Sequence, residues 1–201
     1  DPIVIAARLI SALQTLVARE NDPLEPAVVT VGSIHGGTKA NIIPDEVRLQ
    51  LTIRSYKPET RDLLIAAIKR ITHSLAEAAG MPPEKMPEVT VTDERTPSLY
   101  NTPELTNRVR SVLEGTVGRD KVVTVQSTMG GEDFAEFGIT KEKIPLCMFR
   151  LGTQPPETVA EARAKGITLP SLHSPFFKPV PEPTIQTGVQ AMSAVVLDLL
   201  K

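Results

Sequence analysis

Four stretches of the chain carry a readable period. Ile3, Ala6, Ala7, Ile10, Leu13, Leu16 and Val17 recur at helical spacing behind Pro2, which predicts an amphipathic helix from about Pro2 to Glu20, stopped by Asn21-Asp22-Pro23. Val47, Leu49, Leu51 and Ile53 alternate with Arg48, Gln50, Thr52 and Arg54, the period of a strand with one wet face. A second long helix opens at Pro58-Glu59-Thr60, carries Leu63, Leu64, Ala67, Ile68, Ile71, Leu75 and Ala78 as one stripe, and ends at Gly80 with Pro82-Pro83. His73 falls off that stripe and is expected on the surface. A last helix, from about Glu182 to Leu200, presents Ile185, Val189, Met192, Val195, Val196 and Leu199 for packing.

Weaker signals fill the gaps. The β-branched run Ala27 to Ser33 reads as a strand followed by the loop His35 to Asn41, and Val89-Thr90-Val91-Thr92 reads as another strand. The order helix, strand, strand, helix, strand predicts an α+β, ferredoxin-like unit with helices on one face of an antiparallel sheet, short of its opening strand. A second part starts near Thr96-Pro97, with a helix from Thr102-Pro103-Glu104 and strands at Lys121–Val125 and Pro145–Leu151. The last of these is apolar on both faces, as in the mixed sheet of an α/β domain. The expected domains are residues 1–93 and 94–201. The loop from Gly152 to Leu172 is long enough to cover or carry a site.

Composition narrows the classes. With 201 residues and 41% hydrophobic content, the chain can bury a real core. Its 22 basic and 24 acidic residues nearly cancel, so no basic footprint for nucleic acid or an anionic membrane is expected, and 3% aromatics argue against base stacking. No apolar run is read as approaching the roughly 18 to 20 residues of a membrane span, so a soluble chain is expected. The single Cys147 excludes an internal disulfide framework and a cysteine-cluster metal site, and reads as a small core residue on a strand. The chain starts at Asp1-Pro2 rather than methionine, so it is expected to be a processed or trimmed piece in which a targeting signal cannot be sought; a cytoplasmic location is expected.

Candidate chemistry centres on Ser127-Thr128-Met129-Gly130-Gly131-Glu132-Asp133-Phe134, read as a strand end, a glycine turn and a short helix. Glu132 and Asp133 stand where a helix dipole favours negative charge, so a solvent-facing helix start explains them as well as chemistry does. Arg54 lies on the polar face of the alternating strand and Asn41 at the end of the preceding loop. Such a guanidinium and amide can hold a carboxylate between them, or can simply line a solvated face. His173 sits between the long loop and Ser174-Pro175, beside Phe176-Phe177, which is read as a buried aromatic pair. Three histidines with no HxxxH, CxxC or HxD pair offer no local chelate, and a lone loop histidine fits an exposed position as readily as a ligand.

Read together, Asp1-Pro2-Ile3, Ala40-Asn41-Ile42-Ile43-Pro44-Asp45-Glu46, Met129-Gly130-Gly131-Glu132-Asp133-Phe134 and Leu172-His173-Ser174-Pro175 resemble, in order and spacing, the M20 peptidase family. Within it they are similar to the amidohydrolase branch that includes hippurate hydrolases and plant auxin-conjugate hydrolases. The resemblance implies a lid or dimerisation domain up to about Asp93, then the C-terminal part of a catalytic α/β domain. It also implies hydrolysis of the amide bond of N-acyl amino acids or small peptides by a homodimer holding paired divalent ions (zinc, manganese or cobalt) in each active site. By position, His173 becomes a metal ligand, Asn41 and Arg54 hold the substrate carboxylate, and Glu132 stands in the pocket wall. The remaining ligands and the general base are expected before Asp1, so residues 1–201 alone are expected to be inactive. Two alternatives stay open: an M20 aminopeptidase or dipeptidase, and a free-standing lid-like module without catalysis.

Overall fold

The computed structural model describes residues 1–92 and 95–201. The boundary expected at Asp93 and Glu94 lies outside the described residues. The chain divides into two units, Asp1–Leu99 with Thr128–Glu136, and Tyr100–Ser127 with Phe137–Lys201.

The first unit is α+β, as the periodicity predicts. Helix α1 (Pro2–Thr15) begins with Asp1 as its cap, Oδ1 accepting from the Ile3 amide at 2.9 Å, and widens into a π turn over Leu16–Glu20. Strands β1 (Ala27–Gly36) and β2 (Val47–Ser55) pair antiparallel, from Ala27 opposite Ser55 to Gly36 opposite Val47. A bulge between Val31 and Ser33 reverses the alternation of β1, so that Ile34 comes opposite Leu49 and Ser33 opposite Gln50, whose Oε1 accepts from Ser33 Oγ at 2.7 Å. Helix α2 (Pro58–Ala78) ends where Gly80 takes φ 72°; its amide donates to Glu77 O and that of Met81 to Ala76 O.

Leu9, Leu13 and Leu16 of the first helix and Leu64, Ala67 and Ile68 of α2 form the core, closed on one side by Val29, Val31, Leu49, Leu51 and Ile53. Contrary to the expectation from run length, the helical stretch Pro2–Glu20 is long and apolar enough to cross a membrane. Its leucines are occupied in this core, while Arg8, Arg19 and Glu20 stand exposed on the same stretch. His73 is exposed, as expected.

The second unit is built on α3 (Pro103–Val117) and α5 (Pro181–Leu199), which bury Val109, Leu113, Ala191 and Val195 against one another, with Cys147 and Phe149 packed alongside. Here the mixed-sheet expectation is corrected. Among the described residues, the segments 121–125 and 145–151 of this unit join no ladder, nor does 89–92 of the first unit, where the sequence predicts a further strand, and the sheet has two strands, β1 and β2. Strand formation needs a partner, and Val123 and Val125, 70% and 62% exposed, have none beside them in this unit. Segment 145–149 is held by side chains instead. The Asn101 amide donates to Met148 O and accepts from Met148 N, both at 2.8 Å, and Thr102 bonds Leu146 through its own amide and Oγ1. A further helix, α4 (Pro156–Ala164), occupies the stretch expected to be loop; it buries only Ala162, so it carries no apolar stripe for a periodicity to detect.

Candidate functional site

Arg54 is fixed on the outer face of β2, opposite Val28, because Leu51 and Ile53 commit the alternate positions to the core. From there its Nη1 donates to the carbonyl oxygen of Met129 at 2.7 Å, across 75 positions of sequence. Two stretches that the sequence singled out separately, the wet strand face and the glycine turn, therefore meet in the first unit.

The turn is closely seated. A Cβ on Gly131 would come 3.0 Å from Cβ of Thr96, tighter than most side-chain contacts, so any other residue there would press on Thr96. Glu132 is half-buried; its Oε1 accepts from the Phe134 amide at 3.2 Å and its carbonyl from the Ala135 amide at 3.1 Å. These bonds open a 3₁₀ turn over Asp133–Ile139, the tighter form of the short helix expected there. Glu132 thus has a capping role in this structure, and Asp133 beside it is exposed.

Asn41 stands exposed on a turn in which the Ile42 amide donates to Lys39 O at 3.3 Å, and no hydrogen bond joins it to Arg54 among the described residues. His173 belongs to the second unit. It is exposed and takes φ 67°, a left-handed conformation uncommon outside glycine, within a turn closed by Ser174 N to Ser171 O at 3.2 Å. The aromatic pair beside it is not buried as expected. The Phe176 and Phe177 amides bond back to Ser174 Oγ and O, and this second turn leaves Phe176 77% exposed and Phe177 half-buried.

The donor set does not by itself make a metal site. Among the described residues no three His, Cys, Asp or Glu side chains group closely enough to hold an ion, and a tight divalent site needs three or four ligands. His173 could contribute one. The surface depressions lined by Leu13, Gln14 and Val17 with Ala27–Val29, and by Ile3, Val4, Ala7, Arg8 and Ser11, include none of the four candidates. The sequence did not reveal that Met129 would be Arg54's partner, because a backbone carbonyl has no residue signature; the two glycines marked the place but not the contact.

Several known hydrolases are similar to this chain. Thermostable carboxypeptidase 2 of Saccharolobus solfataricus is 32% identical over 197 residues, covering 98% of this chain and 45% of that protein. IAA-amino acid hydrolase ILR1-like 2 of Arabidopsis thaliana is 29% identical over 207 residues, covering 100% of this chain and 42% of that protein. The fold matches that of a dinuclear metal binding peptidase of the M20 family from Bacillus subtilis, with TM-score 0.68 and 23% identity over 100% of this chain and 46% of that one. Residues 1–79 match the peptidase dimerisation domain. Those residues carry the dimerisation domain of M20 peptidases, the whole chain is similar to the relatives above, and it spans under half the length of these curated relatives.

Proposed function

We propose that this chain is part of a metal-dependent amidohydrolase that cleaves the amide bond of N-acyl amino acids or small peptides. In it, residues up to about Asp93 serve as lid and dimerisation domain of a homodimer, and residues from Glu94 as the C-terminal part of the catalytic domain. The observation that carries the reading is Arg54. Its guanidinium is exposed on a rigid strand, offers five donors and uses Nη1 on Met129, so it keeps a planar edge for a ligand carboxylate. The kinship with an IAA-amino acid hydrolase and a carboxypeptidase, both named for substrates that bear a free carboxylate beside an amide, supports that use.

Asn41 is assigned to the same carboxylate, Glu132 to the pocket wall and His173 to one of a pair of divalent ions. The left-handed backbone at His173 supports its assignment, since strained conformations persist at sites that require them. The ligands present here do not complete a metal site, so no chemical step is routed through one. In the full-length enzyme, Arg54→Ala should lower kcat/KM for N-benzoylglycine by about ten- to a hundredfold, the loss of one charge-assisted contact. An unchanged kcat/KM would remove Arg54 from the substrate. A preference for free dipeptides over the N-acyl compound would move the assignment to the dipeptidase branch.

A further inference from the structure

Arg54 does more than offer an edge to solvent. Among charged side chains on the outer face of β2, it is the one bonded to the glycine turn, and the bond lands on the carbonyl immediately before Gly130-Gly131. Two glycines in succession leave that backbone with more conformational freedom than any other residue pair would. The turn nevertheless sits close enough to Thr96 that a Cβ on Gly131 would press on that side chain, and the next residue, Glu132, accepts from the amides of Phe134 and Ala135. A flexible element held in one place needs an anchor. Besides the seat on Thr96, the turn has a strong polar tie, the charged donor on Met129 O.

We infer that Arg54 is a positioning residue for Glu132: Nη1 holds the Met129 carbonyl and so fixes the glycine turn on β2, while the remaining donors take the ligand carboxylate. One guanidinium then sets both the ligand's anchor and the carboxylate beside it, a double duty that the single ammonium point of a lysine could not match in geometry. The second half of this statement rests on the proposed carboxylate binding; the first half does not.

Hydrogen exchange separates the two halves. In full-length enzyme carrying Arg54→Gln, which keeps a polar residue on the strand but cannot span to Met129, the Phe134 and Ala135 amides should exchange about tenfold faster. The β1–β2 ladder amides of Val29, Val31 and Ile53 should be unaffected. Gly131→Ala, with the guanidinium intact, should accelerate the same two amides by crowding Thr96 and should lower kcat more than it raises KM. Unchanged exchange at Phe134 and Ala135 in Arg54→Gln overturns the positioning role, whatever happens to KM for N-benzoylglycine. Faster exchange with an unchanged KM upholds positioning and removes the carboxylate reading instead. Should Arg54→Gln also loosen the ladder amides, Arg54→Met, which keeps the aliphatic stem on the strand and removes the donors, decides, and protection kept at Phe134 and Ala135 in that variant overturns the inference.

Discussion

The two units use similar apolar patterns to different extents. In the first, the stripes of α1 and α2 meet a strand pair, and Leu13, Leu16 and Leu64 are all but sealed from solvent. In the second, α5 has an equally regular stripe, yet only Ala191 and Val195 are buried, while Ile185 and Val189 remain 64% and 61% exposed. An amphipathic pattern therefore specifies which face can be buried, and the elements available to pack on it decide how much of it is. The same holds for strands. Val47–Ser55 has a partner and forms a ladder; Pro145–Leu151 has the stronger apolar run and is held by Asn101 and Thr102 instead.

The sharpest way to test that contrast is to cut one buried and one open position. Leu64→Ala, in the sealed core, should destabilise the first unit by about 2–5 kcal/mol, whereas Val189→Ala on the open face of α5 should change stability by about 0.5 kcal/mol or less in residues 1–201. Urea midpoints read separately from β1–β2 and from α3–α5 amides check both, and equal costs would erase the distinction. Next in size, Asn101→Ala strands the amide and carbonyl of Met148 and should cost about 1–3 kcal/mol, visible as faster exchange at Met148 with the first unit unchanged.

The smallest effect concerns the first unit alone. Lys57, at the start of α2, is hydrogen-bonded and ion-paired to Glu25, which raises its pKa above the ordinary 10.5. A lysine whose folded pKa is raised lends stability that is complete below the unfolded value and is lost as pH climbs through the folded one. The pair is solvent-exposed, so the effect should be slight. An unfolding midpoint followed from pH 9 upward, on a range set about one unit either side of the ordinary lysine value, should fall more gently in Lys57→Met than in the parent. Identical slopes would remove the pair from the balance.

Most of the first unit was legible because its elements are long and strictly periodic: the wet and dry positions of Val47–Ser55 were readable residue by residue, and Pro58 and Gly80 marked both ends of α2. What escaped were properties that depend on partners. The ladder expected at Pro145–Leu151 depends on a neighbour that its own residues cannot supply, and α4 hides among polar residues because it buries a single alanine. At the site, residue types pointed to Arg54, Asn41, Glu132 and His173. Only the fold could join the first of these to Met129, since that bond is made to the main chain.

The first unit is discontinuous: the chain leaves it at Leu99 and re-enters for Thr128–Glu136. During synthesis the β1–β2 hairpin and both its helices are complete well before the glycine turn emerges, so the Arg54–Met129 bond closes late, over a 75-residue separation, after local contacts have formed. Truncation at Leu99 would leave the hairpin its core and deprive it of the turn. Any dissection of this chain into separate pieces at that point divides the unit that holds Arg54.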